Sequence, residues 1–215
     1  DGYKVEQISG PDAIFEKELI STLFVDQEGY LWVSTMYSGL FRLDPQNFET
    51  EQFYSGKINN GDEYFNDVTK IIQQNDNELI LGIADGLYRI NLTNKELTQL
   101  LQLKSYEHLI RDLLLVGDSI LAASSDGLYQ INLNSGAQTK LKHKPENFTD
   151  QDSNNTKLLI RDERLGLLVG TVNGLFQVPL PNEFDSALTT PKVIIPSRPL
   201  FLPHIFFFLF LLSIA

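Results

Sequence analysis

Asp85, Asp126 and Asn173 each stand immediately before a glycine, and the pair Tyr37-Ser38 precedes Gly39 in the same way. A second polar group, Asn59, Asn60, Asp62, Tyr64 and Asn66, crowds one stretch behind Tyr54. Amides and carboxylates beside aromatic faces suit a polyhydroxylated ligand, which offers hydroxyls and apolar C–H faces together. The plainer reading is that these are loop residues, polar because they meet water. If one side of the fold gathers them, that side is the place for a ligand.

Other chemistry finds little support. There are no cysteines, which removes disulfides, thiolate ligands and cysteine nucleophiles. Asp150-x-Asp152-x-Asn154 echoes the opening of a calcium loop, yet Asn155 stands where glycine is needed and Arg161 where the closing acid belongs. His108, His143 and His204 have no metal-ligand spacing, and no G-x-S-x-G, Walker or H-E-x-x-H pattern occurs. No catalytic residue, metal set or cofactor is expected. Net charge is −11, from 17 basic and 28 acidic residues; nucleic acid is excluded, because phosphate binding needs clustered Lys and Arg. The sequons at Asn91, Asn147 and Asn154 matter only in a eukaryotic secretory setting.

The elements that must carry these residues repeat. LWVSTMYSGLFRLD (31–44) is followed by LILGIADGLYRIN (79–91), ILAASSDGLYQIN (120–132) and LLVGTVNGLFQVP (167–179). Gly39, Gly86, Gly127 and Gly174 are 47, 41 and 47 residues apart. Periods of about 40–50 with several short strands per unit are the signature of a β-propeller. The chain is therefore expected to be all-β, with about four recognisable four-stranded blades near 20–54, 68–101, 109–141 and 157–195. The expected strands are 20–25, 31–35, 40–44 and 49–54; 68–73, 79–83, 87–92 and 96–101; 109–116, 120–124, 128–133 and 138–141; and 157–161, 167–171, 175–178 and 192–195.

LIRDLLLV (109–116) also fits a helix by periodicity, but the repeat register makes it a strand. Residues 9–18, with Gly10, Pro11 and Asp12, read as a loop. The alternating 3–8 stretch reads as a strand of a closing or preceding blade. If it supplies the outer strand of the last blade, four blades close. If 192–195 supplies that strand, the chain is an arc of a larger ring. Trp32 sits where the later copies have Ile80, Leu121 and Leu168, so it belongs to the core rather than to a binding platform. Phe41, Tyr88, Tyr129 and Phe176 are packing residues between blades, and Asp26 caps its D-x-x-G turn.

ISTLFVDQEGYLWVSTMYSGLFRLD (20–44) closely resembles the two-component regulator propeller repeat. Val25-Asp26, Gly29, Leu31-Trp32-Val33, Thr35, Gly39-Leu40 and Asp44 fall where that pattern expects them. Later copies match in part, and the resemblance covers roughly 20–179. It implies a fragment of the extracytoplasmic sensor region of a bacterial signal transducer, in the periplasm and anchored in the inner membrane. In that family, propeller blades bind a ligand, often a carbohydrate, ahead of an immunoglobulin-like domain, a membrane helix and a histidine kinase or diguanylate cyclase. The partners it implies are a small-molecule or oligosaccharide ligand, the membrane and a homodimer in the full-length receptor. Neither the immunoglobulin-like domain nor an output domain is recognisable in these 215 residues. Residues 196–215 form a Pro-containing juncture and an apolar tail (IFFFLFLLSIA), read as the start of a transmembrane helix, with a degraded C-terminus or a buried tail as alternatives. Function classes left open are a noncatalytic ligand sensor, a protein-interaction or structural propeller, a lactonase-like propeller enzyme and a remnant without independent function.

Overall fold

The computed structural model describes residues 7–55, 67–103, 108–141 and 155–178, and the backbone of the strand at 192–196. Sixteen strands form four antiparallel four-stranded sheets, each following chain order. The first blade is β1 (Ile20–Val25), β2 (Leu31–Thr35), β3 (Gly39–Leu43) and β4 (Thr50–Tyr54). The second is β5 (Val68–Asn75), β6 (Glu78–Ile83), β7 (Gly86–Asn91) and β8 (Leu97–Gln102). The third is β9 (Ile110–Val116), β10 (Ser119–Ser124), β11 (Gly127–Asn132) and β12 (Gln138–Leu141). The fourth is β13 (Thr156–Asp162), β14 (Gly166–Thr171), β15 (Gly174–Val178) and β16 (Lys192–Pro196). Each expected strand is present to within two residues, and 109–116 is a strand rather than a helix.

One expectation fails. Residues 9–18 are not a plain loop: Pro11–Ala13 form a 3-10 turn that leads into a short helix, α1 (Ile14–Lys17). Proline is at home in a first turn, where its missing N–H is no loss. The helical turn carries Phe15 edge-on to Phe41, with ring centroids 5.6 Å apart. Most of the 3–8 strand and the whole 197–215 tail lie outside the described residues.

Each strand alternates between two faces, and the blades stack on both. One seam joins Trp32, Leu40 and Phe53 of blade 1 to Ile71, Leu81 and Tyr88 of blade 2. The second joins Ile80, Leu87 and Leu101 to Ile110, Leu113 and Ile131. The third joins Val116, Leu121 and Leu128 to Leu159, Val169 and Phe176. In the Gly-Leu-aromatic unit the leucine thus faces the following blade and the aromatic faces the preceding one. Trp32 is fully buried against Phe53. Its indole N–H donates to Asp26 Oδ2 at 2.7 Å, while Asp26 Oδ1 accepts the N–H groups of Glu28 (3.1 Å) and Tyr30 (2.9 Å). Asp26 therefore caps its turn, as expected, and also satisfies the buried indole.

The first strands β1, β5, β9 and β13 pack against one another in that order, so they are the inner strands. Among the described residues no comparable packing returns from β13 to β1. The blades form an open arc, and exposure marks its ends. Leu23, Ile71, Leu113 and Leu159 hold one repeat position, opposite Val33, Leu81, Ala122 and Val169. Leu23 is 61% exposed, whereas the other three are 3%, 5% and 6%. At the far end Leu158 and Ile160 are exposed in turn.

Candidate functional site

Because strand order runs from inner to outer, the β2–β3 type turns and the connections between blades share one rim. Backbone hydrogen bonds tie them there: Met36 N–H to Leu19 C=O, Ser125 to Leu109 and Val172 to Asn155, at 3.0, 3.2 and 3.2 Å. Three of the turns have two-residue loops, closed by the pairs Ile83–Gly86, Ser124–Gly127 and Thr171–Gly174. Gly86 has φ +156°, and a Cβ there would lie 1.9 Å from the Leu101 carbonyl oxygen; only glycine fits. Blade 1 pairs Thr35 with Gly39 across a three-residue loop, and Tyr37, half exposed, lies within that longer loop.

The turn residues divide by their aromatic neighbour. Where the aromatic is tyrosine, the turn residue is aspartate: Asp85 Oδ2 accepts the Tyr88 hydroxyl at 2.8 Å, and Asp126 Oδ2 accepts that of Tyr129. Where it is phenylalanine, the residue is Ser38 or Asn173. Lys140 Nζ also reaches Asp126, at 2.9 Å, and lies over the Tyr129 ring. Burial works to raise the Asp126 pKa, but the Tyr129 hydroxyl and Lys140 outweigh it and hold the carboxyl below its ordinary value. Burial, then the hydrogen bond to Asp126, pushes the Tyr129 phenol up. In blade 1, Ser38 donates its N–H (2.9 Å) and its hydroxyl to Glu18. A groove of about 640 Å³ borders this turn, lined by Lys17, Glu18, Tyr37, Ser38, Phe41 and Gln52 among others.

Of the residues expected to bind a ligand, Tyr37, Ser38, Asp85, Asp126 and Asn173 thus occupy one rim, one turn per blade along the arc. Asn59, Asn60, Asp62, Tyr64 and Asn66 lie outside the described residues. The rim carries a second signature. Nine buried side-chain atoms among the described residues have no hydrogen-bond partner, and eight lie at this rim: Tyr54 Oη, Asp67 Oδ1, Asp85 Oδ1, His108 Nδ1, Arg111 Nε, Ser125 Oγ, Asn155 Oδ1 and Asn173 Nδ2. Only Gln74 Oε1 lies elsewhere. Buried polar groups are normally paired, so such a concentration calls for a reason. Burial, then the Asp85 charge, pushes the Tyr54 phenol up as well.

The sequence reading missed the inner-strand bulges. In every blade the register of the first strand skips one residue at its rim end: Ser21, Thr69, Arg111 and Lys157. A bulge re-aims a side chain and breaks the ladder locally. The available signal was a polar residue right after the first strand position in all four units: Ile-Ser, Val-Thr, Ile-Arg and Thr-Lys. Thr69 uses its bulge to cross the seam, donating to the Ile110 carbonyl at 2.5 Å. Asp112, the next residue after the Arg111 bulge, is buried and accepts from Leu113 N–H (3.0 Å), Leu159 N–H (2.8 Å) and Lys70 Nζ (2.9 Å). It clamps three inner strands together. Among the described residues, no group of three or more His, Asp or Glu could hold a metal ion.

Comparison with known proteins bears on the fold. No family model matches the chain, and no curated protein does. Solved structures do. One is the extracellular domain of a hybrid two component system, BT4673 of B. thetaiotaomicron: 21% identity, TM-score 0.61, covering 82% of this chain and 21% of that one. A second, BT3049 of the same organism, gives 18% identity, TM-score 0.58, 81% and 22%. The calcium-binding protein regucalcin from Agrobacterium tumefaciens gives 16%, 0.55, 81% and 58%. The chain is a β-propeller arc. It spans about a fifth of the length of the two extracellular domains it resembles. Among the described residues no helix is long and apolar enough to cross a membrane.

Proposed function

We propose that this chain is the noncatalytic, ligand-sensing propeller portion of a bacterial extracytoplasmic receptor, anchored in the inner membrane and facing the periplasm. A saccharide binds along the rim that carries Tyr37, Ser38, Asp85, Asp126 and Asn173, and by their chemistry Asn59, Asn60, Asp62, Tyr64 and Asn66 are proposed as further ligand contacts. The observation that carries this reading is the gathering of eight of the nine unpartnered buried polar atoms among the described residues on that rim. A hydroxylated ligand supplies the missing donors and acceptors, and leaving such groups unmade costs about 1–3 kcal/mol each. The repeat resemblance and the likeness to two extracellular domains of two component systems support the receptor setting. Signal output belongs to a kinase or cyclase module outside this chain.

Calorimetry of the chain against a glycan panel tests the reading. Heat from at least one saccharide is expected, and Asn173→Ala weakens it without lowering the melting temperature by more than a few degrees. Silence across the whole panel, with a protein partner captured instead, would favour an interaction propeller. Turnover of a lactone or glycan that chelation abolishes would make the chain an enzyme.

A further inference from the structure

Arg111 and Lys157 are the bulged residues of adjacent inner strands, β9 and β13, at the rim end of each. The hydrogen bond from Leu159 N–H to Asp112 holds the two strands in register there. The Asp112 carboxylate next to Arg111 does not neutralise either cation, because it is committed to two N–H groups and to Lys70. Arg111 Nε is buried without a partner, and among the described residues neither side chain makes an ion pair. The Lys157 ammonium is depressed by burial and then by the Arg111 charge beside it. His108 Nδ1, Asn155 Oδ1 and Asn173 Nδ2, at the same rim of these two blades, are also buried and unpartnered.

This is an unusual arrangement for a chain of net charge −11. Two like charges side by side repel, and the Arg111 Nε is held out of water without a partner. Arg42 and Lys95 share Glu51, Lys70 meets Asp112, Arg89 meets Glu78 and Lys140 meets Asp126. Arg161 and Arg164 make no ion pair among the described residues either, but they are exposed to water, whereas Arg111 Nε is buried. An anion bridging Arg111 and Lys157 would relieve the repulsion and fill the open Nε, with charge-assisted bonds roughly twice as strong as neutral ones.

We propose that Arg111 and Lys157 form the anion-recognising end of the rim site, and that the saccharide it takes is acidic, carrying a carboxylate or a sulfate. This rests on the rim being the ligand site. The acidic chain as a whole repels anions at long range, so the cation pair selects for a ligand that brings its charge to this one spot.

The test is calorimetry of the full chain with an oligogalacturonate, its fully methyl-esterified form and a sulfated oligosaccharide. At least one acidic saccharide is expected to bind, and the esterified control at least about tenfold more weakly. Arg111→Gln and Lys157→Gln each weaken acidic binding about tenfold or more, Arg111→Lys retains part of it, and Lys95→Gln on the opposite rim changes nothing. Preference between the uronate and the sulfated arm identifies the anion, either result supporting the proposal. Equal binding of acidic and esterified forms, insensitive to Arg111→Gln, overturns it and leaves the rim reading standing. Silence from every saccharide, neutral or acidic, overturns both. If Lys157→Gln lowers the melting temperature while acidic saccharides bind unchanged, an intrachain carboxylate pairs the lysine and the proposal falls.

Discussion

Leu121 and Leu168 are the same residue at the same place in consecutive blades, yet one is fully buried and the other only half. Leu113 and Leu23 repeat the contrast at the other strand face, at 5% and 61% exposure. A blade does not bury its own faces. Its neighbours do, so an apolar residue contributes according to which seam it enters and not according to its local strand. Middle seams carry the stability of such an array, and end faces contribute little.

Paired substitutions sharpen that contrast. Leu121→Ala is expected to cost about 2–5 kcal/mol, the range for emptying a packed leucine site, against less than about 1 for Leu168→Ala. Denaturant titration of the two variants checks it, and equal losses would mean that the end face is covered. Leu113→Ala and Leu23→Ala should split in the same direction. Gly86→Ala comes next, at roughly 2–3 kcal/mol, because the new methyl meets the Leu101 carbonyl in a strained conformation. Gly136→Ala, with φ +71° and open space around it, should lose only about 1 kcal/mol.

Smaller still is Tyr129→Phe. It removes one hydroxyl donor to Asp126 and should lose about 1 kcal/mol, and Tyr88→Phe should match it. The smallest effect is one of pH. The Asp126 carboxyl titrates below its ordinary range in the folded chain, so its stabilisation is present at neutral pH. That stabilisation is lost as pH falls through the folded pKa. Asp126→Asn should therefore flatten the acid limb of the stability profile below about pH 4, read from melting temperatures across that limb. A limb unchanged by the substitution would show that Lys140 and Tyr129 do not favour the charged form.

Much of the fold was legible in the residues. Gly39, Gly86, Gly127 and Gly174 mark their turns because only glycine tolerates the backbone there, and alternating strands flank them. Residues 9–18 were misread because Gly10 and Pro11 are loop signals, while the helical turn that follows depends on Phe15 finding Phe41 on a distant strand. The rim was legible in part. Asp85 and Asp126 were seen as polar turn residues, but their bonds to Tyr88 and Tyr129 bring a turn and a strand face together. Arg111 and Lys157 looked like polar interruptions of apolar strands, since a bulge is defined by a partner's register.

By itself, then, the sequence determined the unit: its period, its strand alternation and its glycine turns, all local consequences of steric and hydrophobic patterning. Tertiary structure decided the rest. It made the first strand of each unit the inner one, turned Trp32 and Leu121 into core while leaving Leu168 half open, and set Arg111 beside Lys157. The physical reason is that alternation distinguishes two faces of a strand without naming what covers either, and only stacking supplies the cover.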